Sequence, residues 1–194
     1  MARIKVPTIE TERLVLRGWK RKDAAALYAY AKNPNVGPHA GWKPHADVAE
    51  SRGIITQLFQ RNTTWAITLK GDDTPIGSIG FEADAYRPGI NSREMGYSLS
   101  EDYWGQGIMT EAARRLLKYG FEELSLQSVM IRTGEANLRS QSVIRKCGFH
   151  YEGTLRQCYR MYNGEIRDSR VYSMLREEYE ELRGALQENL PLNR

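Results

Sequence analysis

The stretch from Ser92 to Glu111 restricts the fold of this chain more than any other. Along Ser92–Ser100 the residues Met95, Tyr97 and Leu99 alternate with Glu94, Gly96 and Ser98, which is the period of a strand whose two faces meet different surroundings. The run Trp104-Gly105-Gln106-Gly107 follows, and apolar spacing predicts a helix from about Met109 to Glu123. A strand that turns on glycines into a helix points several main-chain N–H groups and the positive end of the helix dipole at one small volume. That volume suits an anion such as phosphate. Gly105 and Gly107 let the anion approach without a Cβ in the way. No Gly-Lys-Ser/Thr follows, so the run is not a nucleoside-triphosphate loop, and it lacks the third glycine and ribose-binding acid of a dinucleotide site. Taken alone, the glycines are equally well explained by a tight strand-to-helix turn.

The rest of the chain reads as a mixed order of helices and strands, hence an α+β fold with a largely antiparallel sheet flanked by helices. Strands are expected at Glu12–Trp19, Thr64–Lys70, Pro75–Asp84, Gln127–Thr133, Phe149–Tyr162 and Glu165–Leu175, the last two joined by an Asn163-Gly164 turn. Helices are expected over Lys22–Lys32, from an Asp47 cap to about Asn62 with Ile54, Ile55, Leu58 and Phe59 on one side, and over Asn137–Cys147. A last helix carries Leu175, Tyr179, Leu182 and Leu186 along one face. Asn33–Pro44 is expected to be loop.

Nothing in 194 residues suggests a repeat or a linker, so residues 1–194 read as one domain with a core at about 8–188. The longest apolar run, Ala24–Ala31, is far short of the ~18 residues needed to cross a bilayer. The amino terminus lacks a signal-peptide pattern, so a cytoplasmic, membrane-free protein is expected. Cys147 and Cys158 are expected to be reduced thiols, and with His150 they lack a zinc-site spacing, so no metal is expected. The formal charge of +4 suits an anionic small ligand, but the basic residues are scattered, and no direct nucleic-acid binding is expected.

A second block, Asn137-Leu-Arg-Ser140-Gln-Ser142-Val-Ile-Arg-Lys146-Cys-Gly148-Phe149-His-Tyr-Glu152-Gly153, reads on its own as a capped helix closed by Gly148. Together with Thr11-Glu-Arg-Leu-Val-Leu-Arg17, Glu94-Met-Gly-Tyr-Ser-Leu99, Tyr103-Trp-Gly-Gln-Gly107 and Leu155-Arg156, it resembles the GNAT superfamily of acetyl-CoA-dependent N-acetyltransferases. The nearest resemblance is to its ribosomal-protein N-terminal acetyltransferase branch, the RimJ/RimL type. It covers most of the chain and implies a splayed sheet of about seven strands with the cofactor in the gap between Ser92–Ser100 and Gln127–Thr133.

The resemblance further implies that main-chain N–H groups from Trp104, Gly105, Gln106, Gly107, Ile108, Met109 and Thr110 hold the diphosphate of coenzyme A. Backbone groups of Tyr97 and Leu99 would pair with the pantetheine arm, Asn137 and Lys146 would contact the cofactor, and Ser140 would protonate the departing thiolate. Met109 departs from the small residue of the wider superfamily and is expected to crowd the turn. Glu94, on the strand face opposite Tyr97, is the candidate to bind the acceptor amine or take its proton. An α-amine, with a pKa near ~7.8 against ~10.4 for lysine, costs roughly 3.5 kcal/mol less to deprotonate at neutral pH, so a weak base suffices. The acceptor site is expected between the loop holding His39, Trp42 and His45 and the hairpin holding Tyr159 and Tyr162, opposite the cofactor.

Three readings follow. The first is acetyl transfer to a protein N-terminal α-amine. The second is transfer to a small amine such as an aminoglycoside or polyamine. The third, kept open by Met109, is an acyl-CoA sensor without turnover. The sequence leaves a homodimer open.

Overall fold

The computed structural model describes residues 6–60 and 63–188, with side chains to residue 185. The expected helix end at Asn62, the Leu186 side chain and the ends of the 1–194 domain fall outside that description. Fourteen elements form the described chain. In order they are β1 (Ile9–Glu10), β2 (Leu14–Gly18), α1 (Ala24–Ala31), α2 (Gly37–Ala40), α3 (Val48–Ile54), β3 (Thr63–Leu69) and β4 (Gly77–Ala83). Then come β5 (Ser92–Leu99), α4 (Ile108–Lys118), β6 (Ser128–Gly134), α5 (Leu138–Lys146), β7 (His150–Arg160), β8 (Ile166–Leu175) and α6 (Arg176–Glu188).

One eight-stranded sheet, ordered β1-β2-β3-β4-β5-β6-β8-β7, runs through the molecule. Every pairing is antiparallel except β5 with β6. Helices cover both faces, so the central strands are buried on both sides. In β3, Trp65 and Ile67 enter the larger core with α4, α5 and α6, while Ala66 faces the smaller one with α1 and α3. The helix α4 anchors the candidate turn to the larger core. Its Ile108, Met109, Leu116 and Leu117 are buried, each worth ~1.5–3 kcal/mol gross. Among the described residues no helix is long and apolar enough to cross a membrane.

The mostly antiparallel sheet, expected to have about seven strands, has eight, the short Ile9–Glu10 folding back on Val15–Leu16. Three other expectations need correction. The strand expected from Glu12 starts at Leu14, since Thr11 accepts from the Leu14 N–H and turns the chain there. The expected loop contains the single turn α2, closed by Gly41 at φ +96°. Leu58 is 48% exposed, because the helix widens after Ile54 into a turn with i→i+5 bonding, Gln60 N–H to Ile55 C=O, which carries Leu58 off the apolar stripe.

Candidate active site

The strands β5 and β6 pair only over Ser92–Glu94 and Ser128–Met130. Beyond Glu94 they separate, and β6 pairs along its whole length with β8 instead. The split opens a cleft of about 500 Å³. On β5 the Ser100 N–H donates to Ile76 C=O, and with Leu99 opposite Gly77 this parity turns the N–H and C=O of Met95, Tyr97 and Leu99 toward the cleft. The side chains of Tyr97 and Leu99 go to the larger core, and those of Glu94 and Ser98 go to the α1–α3 face.

At one end of the cleft the chain leaves β5, passes the short helical turn Glu101–Tyr103, and enters α4 through Gly105 and Gly107, both at φ +75°. A Cβ on Gly105 would meet nothing within 4 Å. The first-turn N–H groups of Ile108, Met109 and Thr110 have no intrahelical acceptor by the geometry of a helix start. The turn is held from outside. Arg13 donates from Nη1 to Gln106 C=O (3.1 Å) and from Nε to Glu111 (2.6 Å), while the Arg13 N–H (2.9 Å) and Thr11 hydroxyl (2.5 Å) donate to the same carboxylate. Burial pushes the Glu111 carboxyl upward, but these donors outweigh it and hold it below the usual carboxylate range.

Across the split, α5 begins at Asn137, whose Oδ1 accepts from Ser140 N–H at 3.1 Å. Ser140 is buried, and its Oγ lies 2.9 Å from the Tyr97 hydroxyl. Deep burial raises the Tyr97 phenol well above its ordinary range, so it stays neutral and can donate. The two hydroxyls therefore bridge the gap that the diverging strands leave.

On the α1–α3 face, Glu94 is clamped by Arg132, Nε to Oε1 at 2.9 Å and Nη2 to Oε2 at 3.1 Å. Arg132 also donates to the Tyr86 hydroxyl at 3.2 Å. The segment around α2 roofs this half. Tyr159 donates to Gly41 C=O (2.8 Å), and Arg167 to Pro38 C=O (3.2 Å).

The structure brings Glu94, Tyr97, Leu99, Trp104, Gly105, Gly107, Ile108, Met109, Thr110, Asn137, Ser140, Lys146, His39 and Tyr159 to this one cleft. Several expected roles change. The Trp104 N–H is already donated to Glu101 C=O, so it is not a donor for phosphate. Its indole takes the Leu99 carbonyl at 2.9 Å, leaving Tyr97 as the better-placed edge for an arm. Gln106 does not line the cleft. Its carbonyl is held by Arg13 and its Nε2 by Asp102 C=O, so it faces away. Met109 is 5% exposed and packs in the core, so its bulk does not crowd the turn.

Trp42, His45 and Tyr162 are not in the cleft lining. Trp42 packs on the smaller core and against His45. The His45 Nδ1 bonds Ser51 Oγ at 2.8 Å, and desolvation lowers its pKa, so it acts in packing. Tyr162 is 52% exposed at the hairpin tip, carried outward by the turn after β7.

Sequence reasoning missed the Tyr97 hydroxyl, the Arg132 fork, the Arg13–Glu111 anchor, Glu82 and Arg139. The guanidinium of Arg139 lies 4.4 Å over the Trp104 ring. Strand parity places Glu82 on a face, but its pairing with Glu94 needed the register. The Thr11–Arg13 and Glu111 segments are about 100 residues apart, and nothing local joins them.

Comparison with known proteins gives a consistent result. The family described as Acetyltransferase (GNAT) domain matches residues 13–150. An "Uncharacterized N-acetyltransferase p20" of Bacillus licheniformis is 31% identical over 177 residues, covering 89% of this chain and 98% of the relative. A [Ribosomal protein uS5]-alanine N-acetyltransferase of Escherichia coli (strain K12) is 26% identical, over 86% of this chain and 90% of its own. The crystal structure of an acetyltransferase (GNAT family) from Bacillus anthracis superposes with a TM-score of 0.78 at 26% identity, covering 88% of this chain and 99% of that one.

Proposed function

Because this chain belongs to the GNAT acetyltransferase family and is an acyltransferase, we propose that it moves acetyl from acetyl-CoA to the α-amine of a protein N-terminus, with both substrates bound together. The observation that carries this reading is the split between β5 and β6, with a glycine turn into a helix start at one end and a buried hydroxyl pair across it.

The residues present fit acetyl-CoA. The glycine turn offers main-chain N–H groups and the α4 dipole for a diphosphate, with no side chain in the way at Gly105. Arg139 and Lys146 line the same cleft, and among the described residues neither is in an ion pair; Arg139 is held over the Trp104 ring, and Lys146 adds a second positive charge for phosphate. The cleft-facing N–H and C=O of Tyr97 can pair with an amide-bearing arm as a strand would. The bound thioester supplies an activated acetyl group, and the protein does the rest. Ser140, in the first turn of α5, donates its proton to the leaving sulfur, and the neutral Tyr97 hydroxyl orients it and restores the proton.

An α-amine needs the weakest base among biological primary amines. Among the described residues, the cleft lining holds two carboxylates, Glu82 and Glu94. So few acids suit one ammonium better than a polyamine. Two unpaired thiols, Cys147 and Cys158, support a reducing, cytoplasmic setting.

The test is thiol release from acetyl-CoA with a panel of N-terminal peptides, lysine peptides with blocked ends, spermidine and an aminoglycoside. Turnover confined to free N-terminal peptides is the expected result. Turnover confined to spermidine or the aminoglycoside replaces the peptide reading, and cofactor binding without thiol release on any amine overturns catalysis.

A further inference from the structure

Two carboxylates face the acceptor half of the cleft, and they are not equivalent. Glu82 on β4 stands directly opposite Glu94 on β5, and both line the cleft. The parity of this strand pair makes them a hydrogen-bonded pair with Cα atoms ~5.5 Å apart and side chains on one face. Glu94 is spent. Both of its oxygens are held by the Arg132 guanidinium, so taking a proton would break a bidentate fork. The carboxylate of Glu82 is exposed, and among the described residues no hydrogen bond or ion pair engages it. Among the described cations lining this half, Arg132 is occupied by Glu94 and Tyr86, and Arg167 by Pro38 and the Tyr159 ring. Cys158 adds a titratable group beside Arg132. His39, in the α2 roof, lines the cleft and also borders a second hollow with Ala136–Arg139 at the start of α5.

We propose that Glu82 is the group that receives the acceptor's ammonium and takes its proton, directly or through one water, while Glu94 and Arg132 form the fixed wall that positions it. The inference rests on the reading that the acceptor is a primary amine. One proton of R–NH₃⁺ passes to Glu82 and on to solvent, and the freed nitrogen lone pair forms the N–C bond to the acetyl carbon. The C–S bond breaks, the sulfur takes a proton from Ser140, and the second proton lost by the nitrogen replaces it on Ser140 by way of the Tyr97 hydroxyl. Overall an ammonium and a thioester become an amide, a thiol and one proton.

The experiment compares kcat/KM against pH for wild type, Glu82→Gln, Glu82→Asp, Glu94→Gln and His39→Gln, using acetyl-CoA with an alanine-initiated hexapeptide and, separately, with an acyl hydrazide that is neutral at pH 7. Glu82→Gln should lose about 10- to 100-fold at pH 7 with the peptide, less at pH 9, and under threefold with the hydrazide, with Asp restoring part of the loss. A purely structural role would lower both acceptors alike. An unchanged peptide profile in Glu82→Gln, or a loss of the acid limb only in His39→Gln or Glu94→Gln, overturns the proposal. A wild type that ignores the peptide but acetylates tyramine overturns the N-terminal reading alone. The same variants then test Glu82 on tyramine.

Discussion

Replacing Gly107 by alanine separates a ligand-binding turn from a merely tight one. Gly107 sits at φ +75° as the residue before α4, and an added Cβ would meet only Arg13 Nη2 at an ordinary 3.5 Å. Crowding is therefore not the issue; the left-handed backbone is, and it costs an L-residue roughly 1–2 kcal/mol. Without ligand, the alanine chain relaxes that strain by rotating its backbone, which swings the N–H groups that follow away from the cleft. Coenzyme A must pull them back, so its affinity falls by at most the strain recovered, about 5- to 30-fold. Gly71, in the β3–β4 turn at φ +86° with nothing within 4 Å, supplies the control. Alanine there carries similar strain and the same restriction of the unfolded chain, but lies outside the cleft lining. Both variants should melt within a few degrees of each other, each shifted by about 2–8 °C at most. Calorimetric titration with coenzyme A should show the loss in Gly107→Ala alone. Equal affinity in wild type, Gly71→Ala and Gly107→Ala would refute the phosphate role of the turn and leave the glycine a purely structural one.

Ser140→Ala should lower kcat about 10- to 100-fold with the KM for acetyl-CoA within about twofold. Tyr97→Phe should lose less, and the double variant no more than Ser140→Ala, because the phenol acts through the serine; fully additive losses in steady-state kinetics would argue that the hydroxyls act independently. Glu111 is ionised and held low by Thr11 and Arg13 against its burial, so its contribution to stability is complete above the ordinary carboxylate range and is lost as the pH falls through its lowered folded value. Glu111→Gln should accordingly be less stable than wild type at pH 7 and change less between pH 5 and pH 3, as read by denaturant melts. A parallel pH dependence in both proteins would show that the network contributes nothing.

Local signals determined a good deal here. The alternation of Met95, Tyr97 and Leu99, the two glycines and the apolar spacing of α4 were enough to place a strand, an anion-ready turn and a helix, because each depends on neighbours within a few residues. Asp47 and Asn137 were legible as caps for the same reason, and each accepts the N–H expected of it. The turn geometry of His39–His45 was not legible, and two of its aromatic rings proved to serve packing rather than the cleft.

What tertiary structure alone decided is which polar groups remain free. Trp104 spends its N–H on Glu101 and its indole on Leu99, Glu94 is consumed by an arginine 38 residues away, and among the described residues no hydrogen bond or ion pair engages Glu82. A side chain's chemistry in a cleft depends on who already holds it, and those holders arrive through strand register and helix packing between distant segments. Sequence periodicity carries the direction in which a residue points; only the folded chain fixes what it meets there.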